Sequence, residues 1–75
     1  MIEKFSNIKS LGAGATFGKF AFVYNNNHYV ISNNGSEVLI FEGDKEGNIT
    51  NWSEVIDYWV NDRYELYDKL YRLHG

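Results

Sequence analysis

The 75-residue chain contains no cysteine. Disulfides and thiolate metal sites are therefore excluded as staples, and the composition is compatible with a reducing cytosol. No stretch approaches the roughly 18 apolar residues that a membrane-spanning helix needs. Residues 1–10 are not expected to act as a signal peptide, because Glu3, Lys4 and Asn7 separate the apolar positions. The glycosylation sequons at Asn34, Asn48 and Asn51 then carry no expected meaning. Positive charge is scarce too: seven Lys and Arg stand against ten Asp and Glu, for a net charge of −3. What is plentiful is aromatic surface, with two Trp, six Tyr and five Phe. Each large ring buries on the order of 150–250 Å², which compensates a chain short enough to bury only roughly 60–65% of its unfolded surface. The length bounds the protein to one small domain, residues 1–75.

Charge is unevenly spread. Residues 1–36 set Glu3 against Lys4, Lys9 and Lys19, a balance of +2. Residues 37–68 set nine acids against Lys45 and Arg63, a balance of −7, and Lys69 and Arg72 return +2. An acidic block of this kind repels nucleic acid and attracts basic partners, unless it serves only as a solvated face.

From Phe17 onward the pattern is that of strands. FGKFAFVY places Phe20, Phe22 and Tyr24 on one face and Ala21 and Val23 on the other. Three asparagines, tolerant of positive φ, close a turn. HYVIS returns with Tyr29 and Ile31 opposed to His28 and Val30. Asn34-Gly35 signals a hairpin, and EVLIFE alternates Val38 and Ile40 with Leu39 and Phe41. GDKEGN makes the next turn. Upstream, Ile2, Phe5 and Ile8 recur every three residues, which suits a short helical turn or an irregular segment. ITNWSEVIDYWV reads as a fourth strand or, less well, as a helix with Asn51 and Glu54 as a capping pair. A helix is expected over 62–73, started by Asn61 or Asp62 and laced by Glu65–Lys69 and Asp68–Arg72 at i, i+4. The expected fold is α+β: an antiparallel β-meander of three to four strands packed on a C-terminal helix.

LGAGATFGKF, residues 11–20, has the look of a phosphate-binding loop and fails the spacing. Gly14 and Gly18 are separated by three residues where a P-loop has four, and Phe20 stands where a magnesium-binding hydroxyl belongs. The glycines are expected to bend the chain. His28 and His74 are too far apart to suggest a metal site, and the loop from Asp44 lacks the glycine and glutamate of a calcium-binding loop. No serine is paired recognisably with a base. The chain is expected to hold no cofactor or metal and to be no enzyme. Phe20, Phe22 and Tyr24 beside Lys19 weakly resemble a nucleic-acid stacking sheet, but the acidic half argues against direct nucleic-acid binding.

In the last helix Tyr64, Tyr67 and Tyr71 run beside a stripe of Leu66, Leu70 and Leu73. The leucines suit a core. The tyrosines suit an interface, where Tyr is enriched. With the acids around them they define the expected partner-binding surface: Glu54, Asp57, Asp62, Tyr64, Glu65, Tyr67, Asp68 and Tyr71.

The segments KSLGAGATFGKFAFVY, EVLIFE and GNITNWSEV, in that order, resemble a family of small, mostly uncharacterised bacteriophage proteins. In that family a GAG lead-in precedes a strand, a Gly-x-[Val/Ile]-Thr-[Asp/Asn]-Trp turn follows an apolar strand, and the chain ends in a helix. Two features depart from the pattern: the connection after HYVIS is short, and the last helix is rich in Tyr. The resemblance implies a phage origin, a cytoplasmic location in the host cell and, by analogy with anti-CRISPR and other anti-defence proteins, binding and inhibition of a host protein with a basic surface, such as a nucleic-acid-handling defence enzyme. A phage structural or assembly accessory and a weak nucleic-acid-binding module are the alternatives.

One further expectation concerns self-association. Phe20, Phe22, Tyr24, Val38 and Ile40 exceed what one short helix is expected to cover. Their cover must come from residues 1–8 acting as a lid, from a second helix, or from a second copy in a homodimer.

Overall fold

A computed structural model describes residues 4–12, 18–33, 37–56 and 60–74. Five strands, β1 (Phe5–Gly12), β2 (Lys19–Tyr24), β3 (Asn27–Asn33), β4 (Val38–Gly43) and β5 (Ile49–Asn51), precede one helix, α1 (Val60–His74). All neighbouring strands pair antiparallel, in the order β1-β2-β3-β4-β5. The α+β meander is as expected, with one or two strands more.

The additional strand is β1, where the three-residue spacing pointed to a helical turn. The spacing comes from a bulge. Pairing with β2 passes from Ser6↔Val23 to Lys9↔Ala21, so Asn7 and Ile8 together oppose Phe22. Asn7 takes φ 51°, the left-handed conformation that one residue of such a bulge adopts. The extra residue swings Ile8 back to the side of Phe5, and both reach the core. A period of three is thus a period of two with one residue inserted.

The β2–β3 connection is a two-residue hairpin in which Asn25 and Asn26 have φ 53° and 66°, the twist that matches paired strands. The Asn34-Gly35 turn lies outside the described residues. So does Gly14, whereas Gly18 is buried with φ 88°, which supports a conformational role. Between β4 and β5, Asp44 Oδ1 accepts from the amides of Glu46 (3.0 Å) and Asn48 (2.9 Å). These bonds hold the Asp44 carboxyl below the usual range, that from Asn48 most strongly.

Alternation sorts the sheet into two faces. Phe20, Phe22, Tyr29, Ile31 and Ile40 form one cluster with Phe5, Ile56, Leu66 and Leu70, and Tyr24, Val38 and Tyr67 pack against it. Phe5 meets Phe22 edge-on at 5.8 Å and stacks on Tyr24 at 5.0 Å. The five residues expected to overflow the helix therefore all lie on its side, because β1 and Ile56 supply the rest of the cover. Ile56 is brought in by its amide, which donates to the Ile40 carbonyl at 2.7 Å. Of the stretch ITNWSEVIDYWV, Ile49–Asn51 form β5 as the strand reading has it, residues 52–56 are neither strand nor helix, and residues 57–59 lie outside the described part.

The opposite face buries Ala21, Val30 and Phe41. Ala21 is covered by the chain's own β4–β5 turn. A Cβ on Gly47 would stand 2.8 Å from Leu11 Cδ2 and 3.5 Å from the Ala21 Cβ, so the turn is folded down onto β1 and β2.

Candidate functional site

Asn51 ends β5, and its side-chain oxygen accepts from the Ser53 amide at 3.1 Å and the Ser53 hydroxyl at 2.7 Å. This small side-chain turn reverses the chain and turns Trp52 outward. The Trp52 ring leans on Phe41 at 5.4 Å, tilted by 50°, yet Trp52 remains 68% exposed. Val55 nearby is exposed as well. The Trp52 ring thus has one aromatic neighbour and is otherwise open to solvent, on a backbone that the Asn51–Ser53 bonds hold.

The surroundings are acidic. Over residues 37–56 Glu37, Glu42, Asp44, Glu46 and Glu54 are opposed only by Lys45. Glu42 accepts from the Asn51 side chain at 3.4 Å, which ties one of these acids to the turn that carries Trp52. The β4–β5 turn carries Asp44 back over β1 and β2, where it shares a cavity with Lys9 and Lys45, so Glu37, Glu42 and Glu54 are the acids left along β4 and in the turn that carries Trp52.

The expected partner-binding residues do not form one surface. Asp57 lies outside the described residues, and Glu54 is exposed in the turn beyond Trp52. The other six are on α1, which packs on the face of the sheet opposite to Phe41 and Trp52. There Asp62, Glu65 and Asp68 are balanced by Arg63, Lys69 and Arg72, so the helix carries no acidic excess. Asp62 lies in the first turn of α1. Its carboxylate accepts from Lys4 Nζ at 2.8 Å and from the Tyr24 hydroxyl at 2.7 Å, which ties the start of β1 and the end of β2 to the first turn of α1. The Lys4 and then the Tyr24 hydrogen bonds hold the Asp62 carboxyl below the usual range, and the same bond to Asp62 raises Lys4. Asp68 pairs with Arg72 at 3.0 Å. Tyr67 is half-buried against the core, while Tyr64 and Tyr71 are exposed, and the rings of Tyr64 and Tyr67 meet edge-on at 6.1 Å.

Trp52 was legible as a surface residue only through its neighbours. Asn and Ser on either side of a tryptophan are turn formers, and in NITNWS they outweigh the apolar periodicity of the residues that follow.

For other chemistries the geometry offers little. Phe20 and Phe22 are buried, so these two rings are not available as the stacking platform that their sequence pattern suggested. Among the described residues no group of three His, Cys, Asp or Glu side chains is placed to hold a metal ion, and no helix is long and apolar enough to cross a membrane. No family model, curated protein or solved structure matches the chain, so the likeness to small phage proteins rests on the three sequence segments alone.

Proposed function

We propose that this chain is a small non-catalytic binding protein that engages a basic surface on another protein through Trp52. The observation that carries this reading is the exposure of Trp52 while Phe41 and the Asn51–Ser53 turn hold it in place. Trp is among the residues that dominate interface energetics, and it does so when it enters a pocket and is shielded from water. The acids of β4, β5 and their connections would steer a basic partner toward it and speed association. The resemblance to phage proteins suggests a host protein in the host cytoplasm as the partner, with inhibition as the outcome, as in anti-defence proteins.

The test compares capture of proteins from bacterial lysate by the parent chain, by Trp52→Ala and by Tyr64→Ala. Loss of a burial-dependent Trp anchor lowers affinity by about 2 kcal/mol or more, roughly 30-fold. The expected result is a partner that Trp52→Ala loses, Tyr64→Ala keeps and added salt releases. A partner retained equally by Trp52→Ala would sink this reading.

A further inference from the structure

The outer side of α1 is a second and independent surface. Tyr64 and Tyr71, seven residues apart, project from one side of the helix with Asp68 between them. Tyr64 is 66% and Tyr71 45% exposed, and Leu73 near the helix end is 61% exposed. One step around the helix, Glu65 and Arg72 form another i, i+7 pair, also exposed.

The order of these charges matters. Along this flank the helix runs Glu65, Asp68, Arg72: acidic toward its N-terminus, basic toward its C-terminus. A parallel copy related by a two-fold axis would turn this flank away from its counterpart, so these charges would not meet. An antiparallel copy sets Glu65 against Arg72 and Arg72 against Glu65, while Tyr64 of each helix meets Tyr71 of the other. A two-fold axis near residues 67 and 68 satisfies all of these at once, as an isologous contact requires. The cost falls on Asp68, which approaches its own copy at the axis. It is already paired with Arg72 at 3.0 Å, which offsets the repulsion.

We infer that the exposed tyrosine face of α1 pairs antiparallel with the same face of a second copy of this chain. The occupant follows from the charge order and the Tyr64 and Tyr71 positions taken together, which match their own copy when the two helices run antiparallel. The helix is about 22 Å long, so the contact is smaller than the roughly 800 Å² per partner of a standard interface and the dimer is weak. This surface lies across the sheet from Trp52, so each proposal stands or falls without the other.

Sedimentation equilibrium from about 10 μM to about 1 mM, the range in which a contact of this size associates, tests it on the full chain. The parent is expected to shift from one chain mass to two. Glu65→Arg alone and Arg72→Glu alone should each weaken association about tenfold, and the double variant Glu65→Arg/Arg72→Glu should restore it to within about threefold, the new arginine three residues before Asp68 taking over the part Arg72 plays there. The rescue is the decisive readout, since residues seven apart on one helix do not touch each other. Both positions are exposed, and circular dichroism checks that each variant is folded. Tyr64→Lys provides a second disruption independent of these charges. A parent that keeps the mass of one chain throughout overturns the inference. So does a dimer that both single reversals leave intact, or one that the double reversal fails to restore.

Discussion

Deleting Asn7 should barely disturb this protein, although it shortens a strand that carries part of the core. Asn7 and Ile8 share the single opposing position at Phe22. Without Asn7, Ser6 still faces Val23, Ile8 faces Phe22 and Lys9 faces Ala21, as regular pairing demands. Phe5 and Ile8 then stand two residues apart and remain on the core side. Asn7 is exposed, so its side chain takes no burial with it, and a left-handed residue leaves the chain. The expected loss is under about 1 kcal/mol, or less than about 8 °C in Tm for a domain of this size. Two substitutions bracket that result. Asn7→Val keeps the bulge but forces a β-branched residue into the left-handed region, at a cost of about 1–3 kcal/mol. Phe5→Ala removes a side chain of 0% exposure and costs about 3–5 kcal/mol, a large part of the roughly 4–11 kcal/mol that a chain of this length holds. Urea titration followed by circular dichroism ranks the three. If the deletion costs as much as Phe5→Ala, the bulge account of β1 is wrong and the three-residue spacing has another cause.

Gly47→Ala should lose about 1–3 kcal/mol, because φ is +91° and the new methyl group meets Leu11 Cδ2 at 2.8 Å. Leu11→Ala in the same chain should recover part of that loss, and a double-mutant cycle by urea titration with no coupling would argue against the contact. Gly18→Ala should cost about 1 kcal/mol or more, while ATP and GTP should leave the melting temperature of the parent unchanged. A nucleotide-dependent rise would revive the phosphate-loop reading. Stability should fall at both ends of the pH scale. The depressed Asp62 and Asp44 carboxyls contribute above the ordinary carboxylate range, and that contribution is lost as pH falls through their lowered pKa values. The raised Lys4 contributes below the ordinary lysine range, and its share is lost as pH rises through its raised pKa. Asp62→Asn should flatten both the acid limb and the Lys4 part of the alkaline limb in thermal melts, and unchanged limbs would refute the assignment.

The middle of the fold was legible in the sequence because period-two alternation from Phe20 to Phe41 is uninterrupted within each strand, and Asn25-Asn26 mark the turn between β2 and β3. Legibility failed where one residue breaks the period. The bulge at Asn7 disguised β1 as a helical turn. Asp62 has the chemistry of a helix cap, and its use by Lys4 and Tyr24, 58 and 38 residues away in sequence, has no local signature. The candidate site was only half legible. Acids and aromatics were counted together along the chain from 37 to 71, but the sheet stands between Trp52 and the tyrosines of α1. Local spacing carries no information about which side of a sheet a later segment will take.

The bulges in β1 have one more consequence, which concerns what the fold refuses. An outer strand of eight residues is a template on which another chain could lay down its own backbone. β1 breaks that template twice, at Asn7–Ile8 and again between Ser10 and Gly12. An incoming strand would find its hydrogen-bonding partners in step for only two or three residues at a time. The sheet therefore stops growing at its own edge, and a chain this rich in aromatic and β-branched residues can be concentrated without zipping into fibrils from that side.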